Sequence, residues 1–237
     1  MPNCKNEKFR VCFENYKQIQ GLNMKQIGSL SHPEIYLWSE LHIDLQSSCF
    51  ADSIMESSSV VKLKPIEASP ETFKEFGQVI QASPDGEKFG PHDAQLDLTQ
   101  GTPRLYIMHL EGRDLGFSSI THHANVTQCL GSIGGDAWYL GVAKSSLVDP
   151  NVEDKGANVL KSHTGHSFVP PSVDSIQVFK VTGPKFLKLN RGTWHAGPLF
   201  KPDTMDFYNL ELSNTNEVDH TTHYFKTENA TVFVIDD

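Results

Sequence analysis

Cysteine is scarce where it would matter most. Of four cysteines, Cys4, Cys12 and Cys49 precede Met55 and only Cys129 comes after it. A lone thiol cannot staple a domain, so a disulfide scaffold is excluded there, and an intracellular, cytoplasmic setting is expected. Positive charge is also short: 20 Lys and Arg stand against 29 Asp and Glu, a net charge of −9. Such a balance argues against nucleic acid or an anionic membrane surface as a partner. No apolar run approaches the roughly 18–20 residues of a bilayer-spanning helix. Sustained helical periodicity and fixed-period repeats are both missing, which excludes a coiled coil, a solenoid and a propeller. What is present is enough apolar residue, 38% hydrophobic and 10% aromatic, to bury a sizeable core.

Residues 1–55 differ from the rest of the chain. They show neither helical nor strand period and no apolar centre of a signal peptide. They carry Glu7, Glu14, Glu34, Glu40, Asp44 and Asp52, whereas transit peptides are poor in acidic residues. The expectation is a poorly ordered extension over 1–55 and one folded domain over 56–237.

The domain reads as strands. Val60-Val61-Lys62-Leu63 starts the first, over 60–66, and a second is expected over 78–82. Between them Ser69 suits an N-cap and Pro70 the first helical position. Gly77 suits a left-handed stop, giving a helix over 70–76. Residues 83–103 hold Ser83-Pro84-Asp85-Gly86, Gly90-Pro91 and Gly101-Thr102-Pro103, which is loop chemistry. Strand-like runs then recur at 104–111, 117–123, 127–133, 137–143, 176–182, 185–190, 206–212 and 231–236, most of them separated by turn signals such as Gly134-Gly135-Asp136. Short strands at this spacing indicate an all-β barrel or double sheet with few short helices.

Two histidine regions stand out. In Ile120-Thr121-His122-His123, strand alternation puts Thr121 and His123 on one face and His122 on the other. Thr121-x-His123, four residues, Gln128, six residues, Gly135 has the frame of the first cupin motif. Thr121 and Gln128 stand where that motif has histidine and glutamate. Asn190-x-Gly192-Thr193-Trp194-His195 has the frame of the second motif. The chain thus resembles the cupins, which implies a jelly-roll barrel, the double-stranded β-helix.

A narrower resemblance is to the ureidoglycolate lyase family of allantoin catabolism, a cupin-like family. Leu63-Lys64-Pro65-Ile66, Phe73 to Ile80, His123 to Gln128, Gly135 to Trp138, Arg191 to His195, Pro198-Leu199-Phe200 and Asp206-Phe207 carry it. It implies a carbon–nitrogen lyase that splits ureidoglycolate into glyoxylate and urea, and a homodimer. The reaction needs a base, an acid and a holder for the substrate carboxylate. Histidine titrates near neutrality, and arginine forks onto a carboxylate. His195 and His123 are therefore the expected catalytic pair. Arg191 and Lys188 are the expected anion holders, and Gln128, Asp206 and Glu211 the expected polar contacts to substrate. A divalent metal is the natural cupin cofactor and would sit on His123 and His195, but a set with neutral Gln128 lacks the charged ligand that anchors such ions, so a metal is not favoured and the cofactor stays open. The alternative is a non-catalytic cupin-like protein holding a small carboxylate or a sugar. A third option, a metal-dependent oxygenase or isomerase, would bind iron or manganese stoichiometrically.

Overall fold

A computed structural model describes residues 58–149, 151 and 158–237. The expected extension over 1–55 lies outside the described residues.

The chain enters through β1 (Ser59–Leu63) and β2 (Ile66–Glu67), then helix α1 (Pro70–Phe73) and β3 (Gly77–Ile80). A long loop leads to β4 (Pro103–Glu111), β5 (Gly116–Phe117), β6 (Ser119–His122), β7 (Gln128–Ser132) and β8 (Trp138–Ala143). Short pieces β9 (Leu147–Val148), β10 (Leu160–Lys161) and β11 (Ser167–Phe168) come after these. Next are β12 (Gln177–Val181), β13 (Phe186–Leu189), β14 (Trp194–Leu199) and β15 (Thr204–Leu212). Helix α2 (Thr215–Val218), β16 (Thr221–Tyr224), helix α3 (Phe225–Glu228) and β17 (Thr231–Ile235) complete it. The described domain is all-β, with short helices only, and none is long and apolar enough to cross a membrane.

Two sheets dominate. One has six strands in the order β16-β6-β14-β8-β12-β2, the other five in the order β3-β13-β7-β15-β4. They face each other: Trp138, Leu140, Val142, Phe179 and Val181 of the first share one buried cluster with Val79, Leu130, Leu187, Leu189 and Phe207 of the second. This is the barrel-like double sheet that alternating strands demand, each sheet hiding its apolar face against the other. Trp138 and Phe207 meet edge to face across the gap, with centroids 5.3 Å apart. The two sheets are not joined into one closed hydrogen-bonded ring among the described residues.

Several expected boundaries shift. Helix α1 has only four residues, capped by Ser69 through a reciprocal pair with Thr72, and Lys74 ends it in a right-handed conformation. Gly77 is therefore not a left-handed stop. It opens β3, where a Cβ would lie 1.8 Å from the Lys188 carbonyl oxygen, so close strand approach explains the glycine. The strand expected over 60–66 breaks at Lys64-Pro65 into β1 and β2, which pair in parallel with β17 and β12 respectively. Strands β14 and β16 escaped the pattern. Gly197-Pro198 inside β14 reads as loop chemistry, and Thr221-Thr222-His223 lacks apolar residues.

Candidate active site

A cavity of about 590 Å³ opens between the two sheets. The six-stranded sheet contributes Thr121 from β6 and His195 from β14, which are register partners. The five-stranded sheet contributes Gln128 from β7, Asn209 and Glu211 from β15, and Tyr106 from β4. His123 comes just after β6 and His220 just before β16, so both lie at strand ends on the same wall.

The histidine rings converge. His123 lies 5.2 Å from His195 and 5.7 Å from His220 between ring centroids. His123 Nδ1 bonds the Asp219 carbonyl oxygen, and His195 Nδ1 the Thr193 carbonyl oxygen at 3.3 Å. A carbonyl oxygen only accepts, so both Nδ1 atoms carry a proton, and in the neutral ring Nε2 keeps a free lone pair. Burial, then the neighbouring His123, pushes the His195 ring down to about 3. Burial and His123 lower His220 as well. His220 Nε2 shares a 3.2 Å bond with Thr222 Oγ1, which in turn lies 2.8 Å from Thr121 Oγ1.

Asp219 organises this wall. Its carboxylate accepts from the Ala124 and Asn125 amides at 2.8 and 2.7 Å, while its carbonyl orients His123. The carboxylate fixes the turn after β6, and with it the position of the ring. Opposite, Gln128 Nε2 donates to Asn209 Oδ1 at 3.2 Å and to Glu211 Oε2 at 3.0 Å. Tyr106 Oη donates to Glu211 Oε1 at 3.1 Å. Gln128 Oε1 is buried and has no hydrogen-bond partner among the described residues.

Of the residues singled out in the sequence, His123, His195, Gln128, Glu211 and Thr121 line this cavity; Arg191, Lys188 and Asp206 do not. Arg191 ties the turn to a distant loop, with Nε on the Ala124 carbonyl at 3.0 Å and a guanidinium nitrogen 3.2 Å from Asp97. Lys188 lies between Leu187 and Leu189, which enter the core, so alternation turns it to the other face, where it donates to Asn190 Oδ1 at 2.6 Å. Asp206 lies between the core residues Met205 and Phe207 and faces outward to His109 at 2.6 Å. The expected contact set therefore shrinks to Gln128 and Glu211. The one lysine or arginine lining the cavity among the described residues is Arg113. Its carbonyl oxygen accepts from the Phe200 amide, just past the end of β14.

His122 points away from the cavity and is fully buried. Its ring stacks on Trp194 with centroids 3.9 Å apart and bonds His166 Nε2 at 2.9 Å. Cys129 is buried too, its thiol pushed up to about 11 by desolvation, so it is a packing residue. His220, Asp219, Tyr106 and Asn209 were not singled out in the sequence. None sits in a motif, and His220 precedes a strand that the pattern does not reveal.

The cupin resemblance raises the question of a divalent metal. His123 and His195 offer free Nε2 lone pairs, yet no three His, Cys, Asp or Glu side chains among the described residues converge to hold an ion. The residues do not fit a preformed metal centre.

What fold and cavity define is an all-β protein with a histidine wall facing a buried amide–carboxylate pair. A scan against protein-family models finds no match, and a search of curated proteins finds none.

Proposed function

We propose that the protein is a carbon–nitrogen lyase acting on ureidoglycolate or a related small ureido hydroxy acid. The observation that carries this reading is one cavity in which His123 and His195 present free Nε2 lone pairs beside Gln128 and Glu211, acceptors for a ureido N–H. In the reaction His195 Nε2 takes the hydroxyl proton of the hemiaminal carbon. The carbon–oxygen double bond forms as the carbon–nitrogen bond breaks, and its electron pair leaves on nitrogen. The imidazolium then returns the proton to that nitrogen, giving glyoxylate and urea. A substrate carboxylate near the ring offsets the burial that depresses His195, because an adjacent anion favours imidazolium. His123 Nε2 accepts from a ureido N–H and so orients the substrate. Homodimerisation belongs to the same proposal, supported by exposed Leu105 and Ile107 on the edge strand β4.

The test is glyoxylate release by purified protein, measured against the uncatalysed decay of ureidoglycolate. A rate no greater than the control would reject catalysis. The second reading is a non-catalytic binder of a small polar ligand such as a sugar. It is favoured by the scarcity of cations: Arg113 is the one lysine or arginine among the described cavity-lining residues, and Arg191 and Lys188, expected to hold a carboxylate, do not line the cavity.

A further inference from the structure

Glu211 is 2% exposed, yet no Lys, Arg or His pairs with it among the described residues. Its two hydrogen bonds come from neutral donors, Gln128 Nε2 and Tyr106 Oη. Arg104 is its cross-strand partner in β4, but that guanidinium stacks on the Tyr106 ring, 3.8 Å from the centroid, rather than on the carboxylate. A buried carboxylate without a cation is costly, and proteins tolerate it where a partner arrives from outside.

The groups around it are also acceptors. Gln128 Oε1 has no donor, and the Nε2 atoms of His123 and His195 are bare. The hydroxyls of Thr121 and Thr222 are engaged with each other at 2.8 Å. A carboxylate pushed into this end would meet lone pairs. A planar cation with several N–H groups would satisfy Glu211 and Gln128 Oε1 together.

We propose that the cavity takes a small molecule whose inner end is a guanidinium, seated on Glu211 and Gln128, with any carboxylate of the ligand directed toward the mouth. This rests on the reading of the cavity as a small-molecule site and puts a cationic guanidinium, in place of an uncharged ureido group, at the inner end of its ligand. A ureido group has three N–H donors and a carbonyl oxygen where a guanidinium has five donors and no acceptor, so the two classes differ in charge at Glu211 and in the one group that would turn an oxygen toward the neighbouring acceptors.

Calorimetric titration of the full chain with guanidinoacetate and with its ureido isostere, ureidoacetate, separates them. The wild type is expected to bind guanidinoacetate at least about tenfold more tightly, as a charge-assisted pair requires. Glu211→Gln keeps the side-chain shape and should reduce that preference at least about threefold, with circular dichroism confirming the fold. The wild-type comparison stands by itself if the variant does not fold. Equal or tighter binding of ureidoacetate by the wild type, no binding of either compound, an undiminished preference in folded E211Q, or Glu211-dependent uptake of manganese or zinc would overturn the proposal. Neither titration depends on turnover. A missing lyase activity would leave this result intact, and a ureidoacetate preference would leave the lyase reading intact.

Discussion

The His123 and His195 rings lie 5.2 Å apart, one from the end of β6 and the other from β14 on the same sheet. Each is held by Nδ1 on a backbone carbonyl, from Asp219 and Thr193 respectively, so both present Nε2 to one cavity. A backbone acceptor fixes ring orientation and protonation site at once, which is how a pair of histidines is prepared for proton transfer.

Replacing His195 with Gln keeps the reach of the side chain and removes the titratable nitrogen. If His195 moves the proton, ureidoglycolate turnover should fall by about 10² to 10⁴ while the melting temperature barely changes. Retained turnover in a destabilised variant would make His195 a structural residue.

The opposite outcome is expected for His122→Ala. The ring is buried on Trp194 and bonded to His166, outside the cavity. Its loss should cost about 1–3 kcal/mol and leave His166 without that partner. Turnover per folded molecule should stay near wild type, as urea unfolding and an active-fraction assay on one sample would show.

Asp219→Asn replaces a buried acceptor of the Ala124 and Asn125 amides with a group that offers one oxygen. Stability should fall by about 1–3 kcal/mol, and turnover should fall with it because the turn that carries His123 loosens. Nitrogen NMR of the His123 ring reads this directly: the wild type should show a proton on Nδ1, and the variant a mixture of tautomers.

Stability should fall in mild acid. His122 and His195 are each pushed down to about 3, chiefly by burial, and burial also lowers His166 and His220. In the unfolded chain such rings titrate near about 6.5. Above that pH neither state takes the protons. As pH falls through it toward about 3, the unfolded state binds protons that the folded state refuses, so the equilibrium shifts to unfolding. Urea midpoints measured at about pH 7.5 and about pH 5 should show the drop; equal midpoints would mean that these rings are not buried as described.

Gly77→Ala tests the strand approach. The added methyl would lie 1.8 Å from the Lys188 carbonyl oxygen, so β3 and β13 would have to separate. The expected cost is on the order of 3 kcal/mol, read from thermal unfolding.

Much of the fold was legible because strand alternation is written locally. Leu187 and Leu189 flank Lys188 as Met205 and Phe207 flank Asp206, and both charged residues turn away from the core. The same rule could have corrected the expected contact set, since Asp206 and Glu211 have opposite parity on one strand and cannot both face one cavity. Strand β14 was hidden by Gly197-Pro198, which terminates regular structure in most settings and here forms an irregularity between Ala196 and Leu199, both paired with β8.

His195 became a candidate through the resemblance of Asn190 to His195 to a cupin motif, and the single strand expected over 117–123 divides into β5 and β6. By itself the sequence determined the β-rich class, the strands β3, β4, β7 and β8, and the opposite facing of His122 and His123. These follow from a two-residue period and from turn chemistry, which act between near neighbours. Only the tertiary structure decided that His220 joins His123 and His195, that Asp219 orients His123, and that Glu211 is buried without a cation partner among the described residues. Those relationships join strand ends far apart in the chain. They depend on strand order and register between β6, β14, β15 and β16, which no local pattern carries.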